Sequence, residues 1–313
     1  MVTKNSKIFL AGHNGMVGTA LLNKLKDDGY KKIITINKKK LDLLNQQNVE
    51  KFIKKIKPDF IIIAAAKVGG ILINNTDKAS FIYENIMIQT NIIHSAYLAG
   101  VKNLIFLGSS CVYPRNCPQP IKEDYLLSGK LEKTNDAYAI AKISGIKMCE
   151  SYNFQYGMNY RCLMPTNSFG ANDNYDLKSS HFFPALIKKI HKIKINKKKE
   201  LTIWGNGKVK REMIYVEDLA DACIFFMKKN TKDKLINIGT GKDYTINEYA
   251  KKIMKIIIPE KKIKLNHDLS KPNGTKRKLL DVSLAKKYGW RFQSKLEDSI
   301  LKTYHYFLKE NYK

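Results

Sequence analysis

Three glycines spaced by two residues, in Gly12-His13-Asn14-Gly15-Met16-Val17-Gly18, separate an apolar pentapeptide, Lys7–Ala11, from an amphipathic stretch at 17–28. In a strand–turn–helix unit Gly12 permits the tight turn and Gly15 lets backbone approach a pyrophosphate. Gly18 lets the helix pack closely on the strand, and the helix N-terminus faces the phosphates. An ordinary turn would explain a lone glycine triplet; placement between a first strand and a first helix makes it a dinucleotide-binding motif. The alternation continues, predicting strands at 32–36, 59–65, 103–107 and 159–164 and helices at 46–57, 78–99 and 137–156. Alternating strands and helices imply parallel strands with right-handed crossovers, an α/β fold with a Rossmann-type doubly wound sheet. The strands are apolar throughout, as expected when both faces are covered.

The helix expected at 78–99 is apolar at 81, 82, 83, 86, 87, 88, 92, 93, 97 and 98, more than one stripe. It is either buried within one subunit or packed between its own sheet and a second subunit. A length of 313 residues suggests about two domains, at roughly 150 residues each. Apolar residues make up 44% of the chain, enough for a core and too many for a disordered chain. No apolar run reaches the ~18 residues of a membrane span. The opening MVTKNSKIFLAG is too short in its apolar part for a secretory signal, so a cytoplasmic location is expected.

A formal charge of +28 from 56 Lys plus Arg against 28 Asp plus Glu invites a nucleic-acid reading. Only Arg115, Arg161, Arg211, Arg277 and Arg291 are arginines, however, and the lysines are spread along the chain. Nucleic-acid sites favour arginine and gather charge on one face. A lysine-rich background on solvated faces explains the total better, although the field still favours anionic ligands. Cys111, Cys117, Cys149, Cys162 and Cys223 form no CxxC pair and no zinc-like spacing with histidine, so a reduced, metal-free pattern is expected.

A carboxylate after the second strand would bind a ribose 2′-hydroxyl. Here stand Asn37-Lys38-Lys39-Lys40; positive charge suits a 2′-phosphate, hence NADP, with three solvated lysines as the plainer alternative. Tyr138-Ala-Ile-Ala-Lys142 places a phenol and an ammonium on one helix face, with Asn135 as the expected cap. A neighbouring ammonium is expected to lower the phenol's pKa towards catalytic use. Gly108-Ser109-Ser110-Cys111 follows the fourth expected strand, at the end where such sheets bind ligands. Ser109 could donate to a carbonyl oxygen; Cys111, two residues on, would face the same side of an extended segment, or be a small buried apolar residue. Downstream, 211–218 reads as a helix entry capped by Asp218, followed by a strand at 235–239.

With these residues in view the chain resembles the extended short-chain dehydrogenase/reductase superfamily. Within it, the chain is similar to the branch of 3,5-epimerase/4-reductases that act on GDP-4-keto-6-deoxyhexoses. The likeness rests on AGHNGMVG, AAKVGGI, FLGSSCVYP, YAIAKISGIKMCESYN, MPTNSFG, SHFFPALIKK, WGNG and KPNGTKRKLLDV. It implies NADPH-dependent conversion of GDP-4-keto-6-deoxy-D-mannose to GDP-L-fucose, or, alternatively, action on a related 4-keto-deoxysugar such as the precursor of GDP-L-colitose. It assigns Ser109, Tyr138 and Lys142 to reduction, and Cys111 (base) and His181 (acid) to epimerisation. Cofactor contacts are expected from residues 12–18, Lys38, Leu107, Gly108, Lys142, Pro165, Thr166, Asn167, Ser168 and His181, and substrate contacts from Lys189, Trp204, Arg211 and Asn273. Asn14, Lys189 and Asn273 stand where relatives often carry Arg, Arg and Asp. The resemblance further implies an NADP-binding domain of 1–166 plus about 205–243, a substrate lobe of about 167–204 plus 244–313, and a homodimer through the helices near 78–99 and 137–156. The expected partner is a GDP-sugar, with neither nucleic acid nor membrane.

Overall fold

The computed structural model describes residues 2–271 and 274–311. The first half runs β1 (Lys7–Ala11), α1 (Met16–Asp27), β2 (Lys32–Ile34), α2 (Gln46–Ile56), β3 (Phe60–Ile63), α3 (Ile71–Thr76), α4 (Lys78–Leu98), β4 (Asn103–Leu107), α5 (Asp136–Tyr156) and β5 (Asn159–Pro165). The second half runs β6 (Asn167–Phe169), α6 (Phe182–Ile195), β7 (Glu200–Trp204), β8 (Lys210–Tyr215), α7 (Val216–Lys228), β9 (Leu235–Ile238), β10 (Asp243–Thr245), α8 (Ile246–Ile257), β11 (Lys264–Asp268), β12 (Arg277–Lys278), α9 (Ser283–Lys287) and α10 (Leu296–Asn311). The alternation read from the sequence is present. β2 ends at Ile34 rather than at 36, and the short α3 was not anticipated.

Six parallel strands form one sheet in the order β2-β1-β3-β4-β5-β9. On one face α2, α4 and α5 bury a cluster that includes Phe9, Ile61, Ile93 and Phe106; on the other α1 and α7 bury Leu10, Leu21, Ile62, Ile105 and Phe226. β3 and the inner part of β4 have no exposed residue, which is why their sequences show apolar runs instead of alternation. The order reverses between β1 and β3, and a ligand crevice opens at such a switch point. α4 and α5 cross closely at Gly145, where an added Cβ would lie 2.7 Å from Phe106 and 2.8 Å from Gln89.

A smaller sheet has β8 at its centre, with β10 antiparallel and β12 and β6 parallel to it, while β7 and β11 form a separate parallel pair. α6, α8 and α10 cover this region around Phe169, Phe183, Tyr249 and Phe307. α8 begins with a capping box: Glu248 N donates to Thr245 Oγ1 (3.1 Å) and Thr245 N to Glu248 Oε2 (2.7 Å). Part of the segment expected in the substrate lobe packs elsewhere. Leu280, Val282, Ala285 and Trp290 join the clusters of the six-stranded sheet.

Two expected helix caps are corrected. Asn135 stands at the N-cap of α5 as expected, but its side chain makes no capping bond; its amide nitrogen donates to Cys111 Sγ. α7 starts at Val216 with Tyr215 at the N-cap. Asp218 lies inside its first turn, where Oδ1 accepts from Gln293 N (2.9 Å) and Ser294 N (3.3 Å) and so ties down the chain before α10.

Candidate active site

The glycine turn closes the crevice at the carboxyl end of β1. Gly12 has φ +91°, and a Cβ there would sit 2.4 Å from Ala65 N; one on Gly18 would sit 1.9 Å from Gly12 O. Both are required by packing within the turn. Gly15 differs. A Cβ on it would meet nothing closer than Gly12 O at 3.7 Å, so its outer side is open to a ligand. Gly15 is also the N-cap of α1, without a side-chain cap and without an acidic residue in the first turn. Unclaimed N–H groups and a positive helix end are the surroundings a pyrophosphate needs. Beside the turn Asn14 Nδ2 donates to Asn37 Oδ1 (3.0 Å), and Lys38 is exposed one residue further on. His13, Met16 and Val17 belong to the same turn and helix entry.

β4 delivers the next group. Gly108 leaves room for the Met164 side chain, whose sulfur would lie 2.4 Å from an added Cβ. Ser109 Oγ accepts from Cys111 N (3.2 Å), which folds residues 110–112 into a short 3-10 turn. Cys111 is therefore not on the extended segment expected, yet it stays at the site, half-buried. From α5, Tyr138 hydrogen-bonds to Ser109 and comes close to Cys111. Lys142 Nζ, only 3% exposed as a residue, donates to Leu107 O (2.8 Å) and lies 5.9 Å from the centre of the Tyr138 ring.

The electrostatics correct one expectation. Burial pushes the Tyr138 phenol well above its ordinary value, against a smaller downward pull from Ser109. Burial also lowers Lys142 to about 7. These surroundings favour a neutral phenol, a proton donor at neutral pH, rather than a phenolate.

His181, at the N-cap of α6, is presented by backbone contacts. Gly70 N donates to Ser179 O (2.8 Å), and a Cβ on Gly70 would sit 2.3 Å from Ser180 O. The Gly69–Gly70 loop is itself held by Asn85, which donates to Lys67 O and accepts from Lys67 N, both at 3.0 Å. Phe81, beside Gly69, packs on the Tyr138 ring at 6.3 Å. His181 is exposed as a residue, while desolvation lowers its pKa, which makes its imidazolium the stronger acid.

Pro165, Thr166, Asn167 and Ser168 continue from the end of β5, next to Gly108, whose N–H donates to Leu163 O (2.9 Å). Of the expected substrate residues, Arg211 comes to the Cys111 group: it donates to Thr275 O (2.6 Å), and Cys111 and Glu132 act on its charge. Lys189 and Trp204 form a second group, with Lys189 Nζ 5.6 Å from the Trp204 ring and donating to Thr202 O (3.1 Å). Asn273 lies outside the described residues.

Two residues at the site were not singled out from the sequence for it. Asn135 Nδ2 donates to Cys111 Sγ (3.2 Å), and Lys278 Nζ does so from 3.6 Å. β12 brings Lys278 into register opposite Arg211 on β8. In the sequence Lys278 is one lysine among many spread along the chain, and nothing local distinguishes it from its neighbours.

A model of the NAD dependent epimerase/dehydratase family matches residues 8–239. GDP-L-fucose synthase 1 of Arabidopsis thaliana is 47% identical over 309 residues, covering 99% of this chain and 95% of that protein. GDP-L-colitose synthase of Yersinia pseudotuberculosis is 42% identical over 306 residues, covering 97% and 98%. Among solved structures, a GDP-mannoheptose C4 reductase from Campylobacter jejuni with NADP bound superposes with a TM-score of 0.89 at 38% identity, covering 98% of this chain and 99% of that one.

Proposed function

The chain belongs to the NAD dependent epimerase/dehydratase family, and from that premise we propose that it is an NADPH-dependent 3,5-epimerase/4-reductase converting GDP-4-keto-6-deoxy-D-mannose to GDP-L-fucose. The observation that carries the reading is the grouping of Ser109, Cys111, Tyr138 and Lys142 beside an open glycine turn. Reduction calls on Ser109, Tyr138 and Lys142; a half-buried thiol beside them fits the base that epimerisation needs.

A C4 ketone acidifies the hydrogens on C3 and C5. Cys111 removes one of them and His181 delivers a proton to the opposite face, in turn at each carbon. Ser109 and Tyr138 donate to the C4 oxygen as it gains negative charge. NADPH supplies the hydride that C4 receives in the final reduction. Tyr138 gives the C4 oxygen its proton, which its neutral phenol suits. Lys142, anchored by its bond to Leu107 O, holds the ribose edge. The open turn at Gly15 and the uncapped end of α1 fit the pyrophosphate, and Lys38 is the cation for the 2′-phosphate. Arg211 and Lys189 supply positive charge for the GDP diphosphate, with Trp204 as a stacking surface.

We assign 1–166 plus about 205–243 to the nucleotide domain, with 280–290 packed onto it, and most of the remainder to the substrate lobe, and expect a cytoplasmic homodimer joined through α4 and α5. The 42% identity to a GDP-L-colitose synthase supports one second reading, in which the sugar is a related dideoxy form. The deciding experiment incubates the protein with NADPH and each nucleotide 4-keto sugar in turn and identifies the product. GDP-L-fucose from the 6-deoxymannose derivative is expected; no loss of nicotinamide absorbance with it would overturn the main reading. Cys111→Ser should abolish solvent deuterium entry at C3, and undiminished exchange would remove Cys111 from the base role.

A further inference from the structure

Two donors reach the Cys111 sulfur from distant parts of the chain: the Asn135 amide at 3.2 Å and the Lys278 ammonium at 3.6 Å. Asn135 occupies the N-cap of α5, where an asparagine normally accepts from an N–H of the first turn. It makes no such bond. Its Oδ1 is buried without a partner, and Asp136 Oδ1 takes the Ala137 N–H instead (2.8 Å). A residue suited to capping has been turned from the helix to a sulfur, and a weakly hydrogen-bonding thiol gives little reason for that exchange. A thiolate does.

We propose that Asn135 is a positioning residue for Cys111, and that Asn135 and Lys278 together receive the negative charge of its thiolate. This rests on the reading of Cys111 as the epimerisation base. In each inversion the thiolate forms an S–H bond as the C–H bond breaks, and the electron pair passes towards the C4 oxygen. His181 then loses a proton to the opposite face of the carbon. Cys111 returns its proton to water and His181 regains one before the next inversion. An amide serves both halves of this cycle. Its nitrogen donates to S⁻, and turned over, its oxygen accepts from S–H. A carboxylate in the same place could only accept. Lys278 depends on the pairing of β12 with β8, so the charge partner of the base comes from the second sheet. The other charged or titratable groups acting at the sulfur are Tyr138 from α5 and Arg211 from β8, the latter with Glu132 beyond it.

The test alkylates the full-length protein with iodoacetamide in the absence of sugar and follows Cys111 and Cys117 separately by peptide mass spectrometry. Near pH 7 the Cys111 rate should fall about tenfold in Asn135→Ala and in Lys278→Met, the loss of one charge-assisted hydrogen bond. It should fall further in Asn135→Asp and be largely kept in Lys278→Arg. Raising the pH should restore the rate in the alanine and methionine variants, since excess hydroxide forms the thiolate without help. Cys117 is the internal control for the Asn135 variants. An unchanged or faster Cys111 rate near neutral pH in Asn135→Ala would overturn the proposal; so would a lowered melting temperature with normal alkylation, which marks a helix cap only. Lys278→Met and Lys278→Arg decide the matter if Asn135→Ala does not fold. In the sugar assay Asn135→Ala should slow deuterium entry at C3 and C5 through kcat more than KM. If alkylation responds as stated but the wild-type protein exchanges no deuterium into any 4-keto sugar, the donor pair stands and the epimerase reading fails.

Discussion

At Lys142 sequence and surroundings pull in opposite directions. The spacing to Tyr138 suggested an ammonium that draws a proton off the phenol. Burial instead favours the neutral form of both groups, lowering Lys142 to about 7 and raising Tyr138. The consequence for stability has a definite sign. Between about 7 and the ordinary lysine value of 10.5 the unfolded chain holds a proton at this position that the folded chain lacks. Stability contributed here therefore rises with pH across that window and is at its lowest below it. Lys142→Met should flatten that slope and raise the melting temperature near neutral pH by roughly 2 °C or more, measured by calorimetry across pH; a fall would refute the burial argument. Tyr138→Phe keeps the ring and removes the proton donor. Its reductase kcat should drop by about 10²-fold or more with NADPH affinity unchanged, read by nicotinamide absorbance and by fluorescence titration.

At the scale of elements, the site depends on backbones that pass close to one another. The loop after β3 and the entry to α6 meet where Gly70 leaves no room for a side chain against Ser180 O, 2.3 Å from an added Cβ. Gly70→Ala should displace the His181 end of α6. The expected result is loss of deuterium exchange at C3 and C5 by about tenfold or more, with direct reduction of an already epimerised 4-keto sugar largely kept; equal loss of both would mean that the loop serves the whole site. β8 is held in a different way. Glu212, fully buried, accepts from Thr240 N (2.6 Å), Gly241 N (2.7 Å) and Leu280 N (2.9 Å), clamping the loops after β9 and β12 to β8. Glu212→Ala leaves three N–H groups without their acceptor and should cost about 3 kcal/mol or more by denaturant titration. Because Leu280 lies two residues beyond Lys278, the same variant should also slow Cys111 alkylation.

For the whole molecule, the decisive geometry is the meeting of two sheets. The large sheet supplies the glycine turn, Ser109 and Cys111, with α5 adding Tyr138 and Lys142. β8 and β12 supply Arg211 and Lys278. On the outer side of α4 and α5, Tyr83, Leu98, Ile140, Phe154 and Tyr156 stay exposed, Ile140 at 47% and Phe154 at 95%. Both helices also bury polar side chains inward, among them Gln89, which donates to Ala141 O and to Ser144 Oγ. Apolar residues are therefore not confined to the inward side of the pair. Ile140→Asp with Leu98→Asp should convert the expected dimer into a monomer in sedimentation equilibrium; a wild-type protein that is already monomeric would overturn that reading. Among the described residues no helix is long and apolar enough to cross a membrane.

The alternation of strands and helices, the glycine turn, the Tyr138–Lys142 spacing and the place of Ser109 after β4 are all legible along the chain. These are local properties, set by periods of two or 3.6 residues and by which residues tolerate a tight turn. What surrounds Cys111, and which form Tyr138 and Lys142 prefer, follows from packing in three dimensions. The partners of Cys111 stand 24 and 167 positions away in the chain, distances over which no periodicity carries information. Asn135 looked like a helix cap and Lys278 like one lysine among many, because the contacts that single them out exist only once β12 lies on β8 and α5 on β4. The shift of a buried ionisable group follows from everything packed around it, whereas its spacing along one helix describes a single neighbour.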